Sequence, residues 1–280
     1  MVRFFGGHLR ANGIRQHFLR FGERSKRPIL IIPGITSPAA TWTNVGHALG
    51  ASRDVVILDV RGRGLSESGP NLDYSLDACA EDVVAFVGAL GCDAVDLVGH
   101  SMGGRIALRA VNRIPSCAHI ALVDPPLSGP DTPMRVKGID QYLRVIAMAK
   151  AGASLDEMRT ILPPLSESDL ALRAEWLPTC EESAIKAAHD GFRTDDIWKD
   201  MRAVRIPLHV MAASRAGLIT RDDLAAIAAQ SPSSQSVMIE SGHMIPMENW
   251  PDFYRALADF LDLPRAIPPL VSINCMEKTA

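Results

Sequence analysis

Short, mostly apolar runs recur along this chain: Ile29 to Ile32, Val55 to Val60, Val95 to Val98, His119 to Val123, Leu208 to Ala213 and Ser236 to Ile239. They are too short for helices and rich in β-branched residues, which suits strands buried on both faces of a parallel sheet. Between them the spacing turns helical: Trp42 to Leu49, Asp77 to Leu90 with Gly91 as its cap, Met102 to Ile114, Arg221 to Gln230 and Asp252 to Leu261. Pro115 stops the third of these, because it lacks the N–H that another turn would need. At the start, residues 7 to 21 alternate around Asn12-Gly13, a pair suited to a type I′ hairpin. Strand–helix alternation of this kind predicts a doubly wound, mostly parallel sheet with right-handed crossovers.

From 127 to 200 the rhythm changes. No convincing strand occurs there, only helical stretches punctuated by Pro130, Pro133, Pro163-Pro164 and Pro178. The simplest arrangement is a helical cap, residues 127–200, inserted after the sixth strand of a core made of 1–126 and 201–263. A tail at 264–280 is expected to be peripheral or disordered. At 280 residues the chain can bury one large core.

Charge and cysteine usage add exclusions. The net charge is −3 with both signs dispersed, so neither a nucleic-acid-binding stripe nor a polybasic membrane patch is expected. The apolar runs are too short to span a bilayer, and Met1 to Gly6 lack the apolar stretch of a secretory signal. Cys79, Cys92, Cys117, Cys180 and Cys275 form no CxxC pair. They read as reduced thiols of a cytoplasmic protein, neither a disulfide frame nor a metal site.

Gly99-His100-Ser101-Met102-Gly103 fits GxSxG where a buried strand should end and a helix begin. A serine there sits on a strained turn, and the helix starting at Met102 aims its positive end at charge developing beside it. A serine hydroxyl needs a base, since its own pKa leaves almost no alkoxide at neutral pH. Of the eight histidines, His243 lies in the loop after the last strand, where the sheet's carboxyl edge can present it to Ser101. His100 reads as a packing or supporting residue. His17, His47, His119, His189 and His209 read as structural. The acid that fixes the imidazole's tautomer is expected at Asp124, directly after the sixth strand, which keeps the order Ser, Asp, His. Asp222 or Asp223 is the alternative, because Ala212 to Leu218 after the seventh strand holds no carboxylate. The backbone N–H groups of Ile35 and Met102 are the expected oxyanion donors, with the flexible Gly34 turning the first inward.

Pro33–Pro38, Asp59–Ser66, Val98–Gly103 and Gly242–Pro246 resemble the α/β-hydrolase family. Leu122–Pro126 and the cap segment Leu170–Leu177 resemble, more narrowly, the N-formylmaleamate deformylases of aerobic nicotinate degradation. The likeness runs over nearly the whole chain to about Leu263. It implies the α/β-hydrolase fold and a linear amidase, and it supports Asp124, because that family's acid also follows the sixth strand. The implied reaction takes N-formylmaleamate to maleamate and formate through a formyl-serine, without metal or organic cofactor. The substrate's free carboxylate calls for an arginine fork. Arg173 is the first candidate, with Trp176 one turn away as a wall, and Arg215 and Arg105 follow. Arg61 and Arg63 are expected to brace the loop after the fourth strand. Other readings keep the triad but act on another acylated dicarboxylate, an ester or a carbon–carbon bond of a ring-fission product, or make the chain a non-catalytic receptor for a small ligand. Haloalkane dehalogenase and epoxide hydrolase chemistry is disfavoured, because those enzymes place aspartate where Ser101 stands. The expected partner is a small-molecule carboxylate; the oligomeric state stays open.

Overall fold

The structure is a computed structural model and describes residues 2–270. The chain begins with a hairpin of β1 (Phe4–Ala11) and β2 (Ile14–Phe21). Asn12 and Gly13 take φ of 52° and 75°, as a type I′ turn requires. β3 (Ile29–Ile32), a short 3₁₀ turn at Ala39–Trp42, α1 (Thr43–Gly50) and β4 (Val55–Leu58) follow. α2 (Leu76–Leu90) is opened by the Ser75 side chain accepting from the Ala78 N–H and closed by Gly91 at φ 68°. β5 (Val95–His100), α3 (Met102–Val111) and β6 (Cys117–Val123) complete the first half.

The stretch up to the next strand contains only helices among its regular elements: α4 (Ile139–Lys150), α5 (Leu155–Arg159), α6 (Glu167–Trp176), α7 (Glu182–Thr194) and α8 (Ile197–Ala203), with a 3₁₀ turn at Leu177–Thr179. Then come β7 (Leu208–Ala213), α9 (Arg221–Gln230), β8 (Ser234–Ile239), α10 (Ile245–Glu248) and α11 (Trp250–Leu261).

The eight strands form one sheet in the order β1-β2-β4-β3-β5-β6-β7-β8. β1 and β2 are antiparallel to their neighbours, and every pairing from β4 to β8 is parallel. The unbroken apolar runs follow from two-sided burial. Leu30 and Ile32 face Val83, Phe86 and Ile106 of α2 and α3, whereas Ile29 and Ile31 face Val45, Leu49, Phe253 and Leu257 of α1 and α11. Each such side chain, fully withdrawn from water, contributes about 1.5–3 kcal/mol.

Some element ends differ from the sequence reading. β5 runs on through Gly99 and His100, because parallel pairing of Gly99 with Leu122 and of His100 with Val123 outweighs glycine's weak strand preference. α3 ends at Val111, and Arg113 and Ile114 bond back only three residues, a tightened last turn ahead of Pro115.

The helices between β6 and β7 are tied over the loops at the sheet's carboxyl edge. Asn44 Nδ2 donates to Asp169 Oδ1 (2.6 Å), Glu181 N–H to the Gly62 carbonyl (2.8 Å) and Gly64 N–H to Thr179 Oγ1 (3.1 Å). At the other end of the chain, residues 264–270 have no regular structure but are anchored. Tyr254 Oη donates to the Pro264 carbonyl and Trp250 Nε1 to the Pro268 carbonyl, both at 2.7 Å. The rest of the tail expected from the sequence, 271–280, lies outside the described residues. Among the described residues no helix is long and apolar enough to cross a membrane, and the four cysteines are free.

Candidate active site

Ser101 stands between β5 and α3 with φ 54° and ψ −121°, a strained turn for a residue other than glycine. The turn fits only because its flanks lack side chains: a β-carbon on Gly103 would run into the Ile32 carbonyl, and one on Gly99 into the Gly103 backbone. The strain is held by the Ser101 N–H donating to the Val123 carbonyl at 2.9 Å.

One strand over, Asp124 follows β6, fully buried and also left-handed (φ 46°). Its N–H donates to the Met211 carbonyl (2.8 Å), and its Oδ1 accepts from the Ala213 N–H (3.1 Å). That leaves Oδ2 facing His243, whose Nδ1 lies 2.7 Å away. An Nδ1–H donated to this carboxylate leaves the Nε2 lone pair for the Ser101 hydroxyl, whose Oγ is 3.0 Å from Nε2. The three residues singled out in the sequence thus meet in one hydrogen-bonded line. The alternative acids do not: Asp223 caps α9 with Thr220 and pairs with Arg135, and Asp222 is exposed on that helix's first turn.

Two groups position His243: Glu248, which escaped the sequence reading, and His100, which reads there as a packing or supporting residue. Glu248, at the end of α10, accepts from the N–H groups of both neighbours of the histidine, Gly242 at 2.9 Å and Met244 at 3.0 Å. Buried His100 holds the His243 carbonyl through its own Nε2 at 2.9 Å. Burial, with His243 beside it, keeps the His100 pKa well below the ordinary histidine value, so the ring is neutral and donates from Nε2.

Gly34 packs against this elbow; a β-carbon there would lie 3.0 Å from His100 Nδ1 and 3.3 Å from Ser101 Cβ. Its φ is not left-handed, so smallness, not flexibility, is what glycine supplies at this position. Neither the Ile35 N–H nor the Met102 N–H has an acceptor among the described residues.

The arginines fall into distinct settings. Arg173 is buried, with Nη1 donating to Ser37 Oγ (3.2 Å) and Nη2 to Thr36 Oγ1 (2.9 Å), two hydroxyls of the β3 loop. Its Nε has no partner and no carboxylate is paired with it among the described residues; burial lowers its pKa. Tyr142 of α4 lies close enough to interact with it electrostatically. Trp176, three residues along α6, is half-buried.

Two further candidates are otherwise engaged. Arg215 is exposed and paired with Glu240 (2.7 Å) and Glu248 (3.6 Å), so it braces the histidine loop from outside. Arg105 is buried against the Pro126 and Gly191 carbonyls and Ser128 Oγ, tying α3 to the helices above.

Of the pair expected to brace the β4 loop, Arg61 does so through a twofold bond to Asp82 (2.6 Å each). Arg63 also ties that loop, through Nη1 to the Arg61 carbonyl at 2.9 Å, and reaches inward to the Ile35 carbonyl at 3.1 Å. No local pattern distinguishes these roles, because the deciding partners, Asp82 of Arg61 and Ile35 of Arg63, lie 21 and 28 residues away.

A nucleophile elbow, a histidine and an acid in this chain order on a mostly parallel sheet define a serine hydrolase of the α/β class, and residues 29–257 match the alpha/beta hydrolase family, to which this chain belongs. Among known proteins it is 47% identical over 261 residues to the N-formylmaleamate deformylase of Pseudomonas putida, a match covering 92% of this chain and 97% of that one. A crystal structure of a serine-to-alanine variant of N-formylmaleamic acid deformylase from Pseudomonas putida superposes with a TM-score of 0.86 at 43% identity, covering 91% of this chain and all of that one. E-2-(acetamidomethylene)succinate hydrolase shares the fold at 20% identity, with a TM-score of 0.76 over 93% of this chain and all of that one.

Proposed function

We propose that this chain hydrolyses the C–N bond of N-formylmaleamate, yielding maleamate and formate, as a step of nicotinate breakdown. The carrying observation is the line Ser101–His243–Asp124 at 3.0 and 2.7 Å, in a chain with near full-length similarity to a deformylase of that substrate. Ser101 Oγ attacks the formyl carbon while His243 Nε2 takes its proton, and Asp124 stabilises the resulting imidazolium. The oxyanion rests on the N–H groups of Ile35 and Met102, which have no acceptor among the described residues. Collapse breaks the bond to nitrogen. That nitrogen is also bonded to a second carbonyl, so it spreads negative charge and leaves more readily than a plain amine; His243 returns the proton. Water, deprotonated by the same histidine, then releases formate from the formyl-serine.

Residues 127–200 act in this reading as a cap over a core of 1–126 and 201–263. The substrate's free carboxylate is held by Arg173, a buried cation lacking an acid partner among the described residues, with Tyr142 near it and Trp176 three residues along α6. Nothing in the mechanism calls for a metal, and no cluster of metal-ligating residues occurs among the described residues. The free thiols suit a reducing, cytoplasmic setting.

The test is incubation of purified protein with N-formylmaleamate and quantification of formate and maleamate. Equimolar release is expected, abolished in a folded Ser101→Ala variant. Arg173→Ala is expected to lower kcat/KM by about 10- to 100-fold, chiefly through KM. Absence of formate from the folded wild-type protein overturns the assignment.

A further inference from the structure

Among the described residues, Arg63 is the other arginine that the fold buries without an acid partner. Its side chain is among the largest that are fully enclosed, and no carboxylate is paired with it among the described residues. Burial lowers its pKa, with only the thiols of Cys79 and Cys180 and the phenol of Tyr74 opposing. Its donors go to neutral acceptors: Nε to the Ile35 carbonyl (3.1 Å), Nη1 to the Arg61 carbonyl (2.9 Å), and Nη2 to the Ala184 carbonyl (3.0 Å) and Met102 Sδ (3.5 Å). Guanidinium remains charged under any condition in which the protein folds. Enclosing such a charge without a counter-ion opposes folding, and neutral side chains of similar bulk would avoid the penalty.

The two side-chain or carbonyl groups that it grips outside its own loop and α7 belong to Ile35 and Met102, the residues whose N–H groups have no acceptor among the described residues and serve as oxyanion donors in the proposed reaction. We propose that Arg63 is a positioning residue of the oxyanion hole: it fixes Ile35 and Met102 relative to each other and sets a permanent positive charge behind the two amides. This rests on the serine-hydrolase reading of the site. Fixed dipoles and charges aimed at developing negative charge stabilise the transition state without helping ground-state binding. The signature is therefore a kcat effect with KM preserved.

The experiment compares wild type, Arg63→Met and Arg63→Lys in formate release. It also titrates each with a small alkylboronic acid, which turns into a tetrahedral anion when Ser101 Oγ bonds to boron and His243 takes the proton. Arg63→Met is expected to lower kcat about 30-fold, with KM within about threefold and boronate affinity falling in parallel with kcat. Lysine keeps the charge but offers one head where the fork served four acceptors, so about a fivefold loss in both quantities is expected. The proposal is overturned if folded Arg63→Met keeps kcat within about twofold, or loses kcat while holding the boronate as tightly as wild type. Should the methionine variant not fold, the lysine variant decides, and wild-type kcat and boronate affinity in it overturn the proposal. A wild-type protein that neither releases formate nor takes up the boronate marks failure of the underlying hydrolase reading instead.

Discussion

Asp124 has its backbone fixed as firmly as its carboxylate. The N–H is held by Met211, one oxygen by Ala213, and only the second oxygen is left for the histidine. An asparagine there preserves the shape but can present its NH₂ to Nδ1, turning the imidazole to the tautomer that cannot accept from Ser101. Asp124→Asn is therefore expected to lower kcat about 10⁴-fold with a much smaller change in KM, measured as initial rates of formate release. Asp223→Ala, which removes only the capping and Arg135 contacts, is expected to leave kcat within about threefold. At this scale the triad was legible, since a nucleophile elbow, the acid ending the buried strand β6 and a histidine in the loop after the last strand are local signals. Arg173 was singled out for the substrate carboxylate and Arg63 as a brace of its loop, but what each guanidinium grips inside the fold was not legible. Thr36 and Ser37 stand 137 and 136 residues before Arg173, and no periodicity records that meeting.

The histidine loop shows how short elements do the positioning. α10 is only four residues long, too short to be stable alone, and is tied to the loop by the twofold grip of Glu248 on Gly242 and Met244. Removing that grip frees two partly buried amides and loosens the imidazole. Glu248→Ala is expected to reduce kcat about 10- to 30-fold, with thermal unfolding monitored alongside to show that the core survives. The sequence located β7 and α9 to the residue, because a buried apolar run and the Thr220-to-Asp223 capping box have sharp edges. β6 and β8 each begin two residues before the sequence reading, at Cys117 and Ser234, where ladder bonds from β5 and β7 recruit residues with no strong preference of their own.

At the scale of the whole molecule, His209 couples stability to pH. It lies within β7, stacked on Phe260 of α11, with neither ring nitrogen bonded, and burial lowers its pKa to about 4. The unfolded chain binds a proton near 6.5, whereas the folded chain resists until about 4, so stability is full above 6.5 and is lost as pH falls through that window. Between pH 7 and pH 5 this group alone accounts for about 2 kcal/mol. His209→Leu is expected to lose that much less than the wild type when urea unfolding is compared at the two pH values. An equal loss in both proteins sinks the assignment.

The separations within the catalytic line have a consequence for synthesis of the chain. His243 lies 142 residues from Ser101 and 119 from Asp124, with helices α4 to α8 and β7 emerging in between. A nascent chain that has reached α9 carries nucleophile and acid but no base, and so stays chemically silent. Reactivity arrives only when the last strand and its loop dock, which makes regain of turnover during refolding a clock for long-range closure and not for early collapse.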